Sequence, residues 1–75
     1  MPPLRVRFGR TVAHLRKTQT SYSQESLAHA VGMHRTFISL VERGLANPSL
    51  DTIEKLARAL KVPPARLLSE SDRER

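Results

Sequence analysis

The chain predicts an all-α fold: one small domain of five short helices. Three observations carry that prediction. Apolar residues recur at spacings of three and four, as in Phe8, Val12 and Leu15 or Ile53, Leu56, Ala57 and Leu60, which sets each group on one face of a helix. No segment shows the strict alternation of a half-buried strand. The breaks between the stripes fall at helix-stopping residues, namely Gly32, Gly44, Asn47-Pro48 and Pro63-Pro64. With 75 residues a folded chain buries only about 60% of its unfolded surface, so association with a second copy is a common way to add core. Phe8, Tyr22 and Phe37 are the only aromatics, so the core is expected to be aliphatic.

Residues 1–3 read as a flexible start and residues 4–68 as the domain. The first helix is expected over about residues 4–17, with Leu4, Phe8, Val12 and Leu15 as its core stripe. The polar run Thr18–Ser21 has no periodicity and reads as a loop. Ser23 is placed as the N-cap of a second helix over 24–31, with Tyr22 stapling onto Leu27. Ser26 stands where Glu or Gln would complete a capping box, so no full box is expected. Gly32 ends this helix as a left-handed residue. The third helix, 35–43, begins almost at once, with Ile38 and Val41 and then Leu45 on its apolar side, and Gly44 stops it. Two helices meeting so abruptly form a helix-turn-helix corner, an arrangement that places its second helix in the DNA major groove. Ser49 caps a fourth helix with Asp51 in its first turn, and Leu50, Ile53, Leu56, Ala57 and Leu60 form its buried stripe. Pro64–Leu68 make a short fifth helix, and 69–75 a charged, frayed tail.

The formal net charge is +6, and residues 1–48 hold seven Lys/Arg against two acids while 49–75 hold six against five. The positive excess lies with the helix-turn-helix half, where a phosphate-facing surface is needed. There is no cysteine, so neither disulfides nor a thiolate metal site is available. No apolar run approaches the ~18 residues of a membrane span, and MPPLRVRF has no signal-peptide core. The expected location is cytoplasmic, on the nucleoid when bound to DNA.

The pattern SQESLA…G…RTFISLVERG…NPSLDTIEKLARAL resembles the lambda repressor and Cro family of bacteria and phages. Its RTFIS portion is particularly similar to the small controller proteins of restriction–modification systems. The resemblance spans about residues 4–68. Three features depart from the family pattern. His34 stands at the N-cap of the third helix, where Ser, Thr or Asp is more usual. The loop between the first two helices is one residue longer than common and lacks glycine, and Pro63 replaces the usual cap of the fifth helix.

Early residues of the third helix reach base edges in such domains, which makes His34, Arg35, Thr36 and Ser39 the candidate readers. The Arg35 fork matches the O6 and N7 acceptors of guanine, and the Thr36 methyl suits thymine. The resemblance implies frequent base contacts at His34, Arg35 and Thr36. Phe37 has two open readings, as a base-reading contact on thymine methyls or as a cover over the helix corner. Leu40 is placed outward beside it. The resemblance also implies phosphate contacts for Gln24, at a helix start that favours anions, for Arg43, and for Asn47 in the following loop; Ser23 is a secondary candidate. Arg5, Arg10 and Lys17 add long-range attraction. The matching pair Arg16 and Glu42 is implied to be an internal ion pair between the first and third helices.

His14, His29 and His34 offer no helical metal pair, and the glycines at 9, 32 and 44 form no phosphate loop. No cofactor, metal, small-molecule ligand or membrane is implied, and catalysis has no foothold. The expected function is a sequence-specific DNA-binding transcriptional regulator. It would act on double-stranded DNA as a homodimer through Leu60, Val62, Leu67 and Leu68. The rival reading is an antitoxin or adaptor that uses the same fold to hold a protein.

Overall fold

The computed structural model describes residues 2–69; the expected charged tail, from residue 70 onward, lies outside the described residues. Five helices follow in order: α1 Leu4–Gln19, α2 Gln24–Val31, α3 Arg35–Glu42, α4 Leu50–Leu60 and α5 Pro64–Leu68. No strand occurs among the described residues, and no helix is long and apolar enough to cross a membrane. α1 runs against α3, α4 and α5, and α2 against α3 and α4.

The helix interiors match their apolar spacing. Phe8, Val12 and Leu15 of α1 meet Leu27, Ala28 and Val31 of α2, Ile38 and Val41 of α3, and Ile53, Leu56, Ala57 and Leu60 of α4 in one core. Helix ends depart from it. Leu4 and Leu50, expected in the buried stripes, are 48% and 81% exposed. Each is the first residue of its helix, and side chains lean toward the helix N-terminus, so these two overhang the edge of the core. Leu45, expected on the apolar side of α3, is 63% exposed. The helix has stopped before it: the N–H groups of Gly44 and Leu45 donate to the carbonyls of Val41 and Leu40, a Schellman ending that breaks the helical register. α3 therefore closes at Glu42, with Arg43 as its C-cap.

α1 is two residues longer than expected. The hydroxyls of Thr18 and Thr20 donate to the carbonyls of His14 and Arg16, both at 2.7 Å, so the polar run carries the last turn instead of leaving it. Arg16 and Lys17 in that turn complement the helix dipole. The start of α2 also corrects an expectation, because a capping box does form. Ser23 Oγ accepts from Ser26 N–H at 3.0 Å while Ser26 Oγ accepts from Ser23 N–H at 2.8 Å. Serine, though shorter than Glu, reaches the N-cap nitrogen. Gly32 takes the expected left-handed conformation, φ 71°, and Tyr22 packs against the core.

Of the association surface expected from Leu60, Val62, Leu67 and Leu68, Leu60 and Leu67 are corrected, being buried. Lys61 adopts a left-handed conformation, φ 63°, and the turn folds α5 back onto α4 and α1. Leu60 and Leu67 are thereby sealed in this chain's own core, and Val62 and Leu68 are half-buried against it. The apolarity of α5 is explained by intramolecular packing.

Gly9 lies inside α1 where that helix passes the end of α3. A Cβ there would overlap the carbonyl oxygen of Val41 and sit 3.1 Å from that of Glu42. This close crossing fixes how α3 stands relative to the domain.

Candidate nucleic-acid interface

α3 is held from behind. Ile38 and Val41 are fully buried, and the helix is packed between α1 and α2. Its outer side carries Arg35, Thr36 and the C-cap Arg43, all exposed, with Ser39 half-buried between them. His34 is exposed at the N-cap and makes no side-chain capping bond, so its ring is not engaged by the helix start it precedes. These residues share one outward side, as a groove-reading helix requires. Phe37 is half-buried and packs against the core. Part of its ring therefore remains open at the edge of the outer side of α3. Leu40, placed outward from sequence, is half-buried.

The residues expected at phosphates flank this helix. Gln24 opens α2, and the first-turn N–H groups of a helix have no partner within it. The Ser23–Ser26 box satisfies the N–H of Ser26, which leaves those of Gln24 and Glu25 directed out of the helix start. The Ser23 hydroxyl, exposed at this start, is engaged inside the box, donating to Ser26 Oγ at 3.2 Å. Arg43 and Asn47 are exposed at the far end of α3 and in the following loop. Arg5, Arg10 and Lys17 are exposed on α1.

Arg16 and Glu42 meet as the resemblance implied. Arg16 Nε donates to Glu42 Oε2 at 2.7 Å and Nη2 to Oε1 at 3.0 Å, a bidentate pair joining α1 to α3. Their side chains are only 11% and 7% exposed. Hydrogen bonding to Glu42 raises the Arg16 pKa above its ordinary value, with burial opposing and the carboxylate's charge adding. The guanidinium is thus permanently charged, and the only acid of α3 is neutralised before it can oppose a phosphate.

Two further contacts were not legible in the sequence. Arg16 Nη1 donates to the carbonyl of Tyr22 at 3.3 Å, which ties in the α1–α2 loop. Gln24 Nε2 donates to Glu42 Oε1 at 2.9 Å, which links the first residue of α2 to the last of α3. Among the described residues no group of three His, Cys, Asp or Glu is placed to hold a metal.

Known proteins are similar to this chain in sequence and fold. Control protein C.BamHI of Bacillus amyloliquefaciens is 48% identical over 65 residues, covering 87% of this chain and 80% of that protein. The crystal structure of the restriction–modification controller protein C.AhdI from Aeromonas hydrophila superimposes with a TM-score of 0.79 at 43% identity, covering 84% of this chain and 94% of that one. SinR, a master regulator for biofilm formation solved in complex with DNA, matches with a TM-score of 0.77 at 33% identity over 83% of this chain and 98% of its own. The profile of the helix-turn-helix family matches residues 12–67. The chain belongs to the helix-turn-helix family.

Proposed function

We propose that the protein is a sequence-specific DNA-binding transcriptional regulator that acts as a homodimer on an inverted-repeat operator, in the manner of a restriction–modification controller. The observation that carries this reading is α3 itself: its inner face is locked in the core while Arg35, Thr36 and Arg43 stand exposed on its outer side. C.AhdI is a restriction–modification controller and SinR has been solved on DNA, and both share the fold. His34, Arg35, Thr36 and Ser39 read base edges; Gln24, Arg43 and Asn47 grip phosphates. The sign of regulation follows from where the operator lies relative to its promoter.

The test begins with selection of bound duplexes from a random 30-base-pair library, an insert of about three helical turns. A palindromic consensus is expected. Arg35→Ala should then lose about 1–3 kcal/mol of discrimination at one base pair of each half-site, with an unchanged circular dichroism spectrum. Equal preference by wild type and Arg35→Ala would remove α3 as the reading helix.

The homodimer cannot rest on Leu60 and Leu67, which are buried, whereas Leu68 is only half-buried. A groove is lined by Leu4, Phe8, Pro48, Ile53 and Leu68; Leu4 is exposed there, and Leu50, one turn before Ile53 on α4, is the most exposed large apolar residue described. A second copy on this face would cover Leu50 and set two reading helices roughly 34 Å apart. Leu50→Glu is therefore expected to convert a sedimenting dimer into a monomer and to weaken operator binding while leaving thermal stability nearly unchanged. A wild-type sedimentation profile for this variant would exclude the face. Leu67→Glu is unsuitable as a test, because Leu67 is fully buried and its replacement would attack the fold.

A further inference from the structure

The bond from Gln24 to Glu42 adds nothing that the ion pair lacks, since Arg16 already occupies both carboxylate oxygens. What it does is restrain Gln24. A glutamine at a helix start ordinarily samples many rotamers and loses that freedom on binding a ligand. Here it is fixed in the free protein. The direction is also set, because an ionised carboxylate only accepts and therefore faces the amide nitrogen, never the amide oxygen. One of the two Nε2 hydrogens is on Glu42 Oε1 at 2.9 Å, and the other is left to donate. It does so beside the outward backbone N–H groups of the α2 start, a setting that favours an anion.

We infer that Glu42 is a positioning residue for DNA binding: it holds the Gln24 amide ready to donate its second N–H to a backbone phosphate, while Arg16 cancels the carboxylate charge. The inference rests on the reading of Gln24 as a phosphate ligand. Preorganisation of this kind raises affinity by removing an ordering cost from the binding step. It also resolves why an acid stands at the end of a reading helix. Glu42 touches no DNA, and acts through Gln24.

Binding of the selected duplex by wild type, Gln24→Ala, Glu42→Gln and the double variant tests this, with folding of each checked by circular dichroism at the assay temperature. Gln24→Ala should weaken binding about tenfold or more, the scale of one hydrogen bond to a charged group. The log–log salt slope should stay constant, because a neutral amide releases no counterion; loss of a cationic contact lowers that slope by about 0.9. Glu42→Gln makes the protein more positive, so a purely electrostatic role predicts tighter binding. Positioning predicts weaker binding, because the one carbonyl oxygen left at position 42 is taken by Arg16, and a double variant that binds no more weakly than Gln24→Ala alone. If Gln24→Ala binds as wild type, the phosphate reading of Gln24 fails and the inference fails with it. If Gln24→Ala weakens binding but Glu42→Gln does not, only the positioning role is overturned.

A measurement on the wild-type protein keeps the question decidable should Glu42→Gln not fold. In the nuclear magnetic resonance spectrum of the Gln24 side chain, one Nε2 hydrogen should be protected from exchange in the free protein and both in the complex. Loss of the first protection on adding the duplex would mean that Gln24 releases Glu42 to bind, and would overturn the proposal.

Discussion

Gly9→Ala is expected to lower the thermal midpoint by about 10 °C or more, although helix propensity alone predicts the opposite sign. An alanine in a helix interior is favoured over glycine by about 1 kcal/mol, and Gly9 stands well inside α1. The added methyl, however, would meet the carbonyl oxygens of Val41 and Glu42. These are backbone atoms at the end of α3 and no rotamer change can move them aside. α1 and α3 must separate, which loosens the contacts of Phe8, Val12, Ile38 and Val41 together. Overpacking of a core costs about 1–3 kcal/mol and occasionally more; against rigid backbone the upper end applies, leaving a net loss of about 2 kcal/mol or more. In a domain of this size each kcal/mol moves the midpoint by about 4–8 °C. Thermal unfolding followed by circular dichroism decides the sign, and a midpoint above that of wild type would contradict the close crossing. The same variant should bind the selected duplex more weakly even while folded, because α3 is the element displaced.

The contrast between Phe8, Val12 and Leu15 on one side and Gly9 on the other shows what the sequence holds and what it does not. A stripe repeating every three or four residues states which face of a helix is inward, and the structure follows it through the interior of α1 and α4. Periodicity does not state where a face runs out. Leu4 and Leu50 continue a stripe and yet overhang the edge of the core; Leu45 joins the apolar side only if α3 is extended past its stop. Leu67 departs in the other direction, since an apolar residue in excess on a terminal helix looks like an interface until the Lys61 turn folds it inward. The outward placement of Arg35 and Thr36 is legible because position on α3 and exposure go together. The Gln24–Glu42 bond is not, because it joins side chains 18 residues apart and depends on how α2 and α3 cross. No local spacing encodes that crossing, and Gly9, which sets the approach of α1 to α3, looks in the sequence like an isolated glycine.

Removal of the Arg16 guanidinium, as in Arg16→Met, is expected to destabilise the domain by about 3–5 kcal/mol, the scale of leaving a buried charge without its partner. Glu42 is 7% exposed and would keep only the amide of Gln24. Domains of this length have a total stability of about 4–10 kcal/mol, so the variant would stand near its unfolding midpoint at physiological temperature. The loss measures stranding, which is larger than the net contribution of the pair, because both charges must be desolvated to meet in the folded chain. The double variant Arg16→Met with Glu42→Leu therefore should recover much of the stability lost by Arg16→Met alone. Urea unfolding gives the comparison, with the midpoint of the double variant above that of the single. A double variant less stable than Arg16→Met would show that the pair contributes through its own attraction. DNA binding separates the two roles of Glu42. The recovered fold should still bind the selected duplex about two- to tenfold more weakly than wild type, since the aliphatic replacement of Glu42 offers Gln24 no acceptor and the ordering of its amide is left to the binding step.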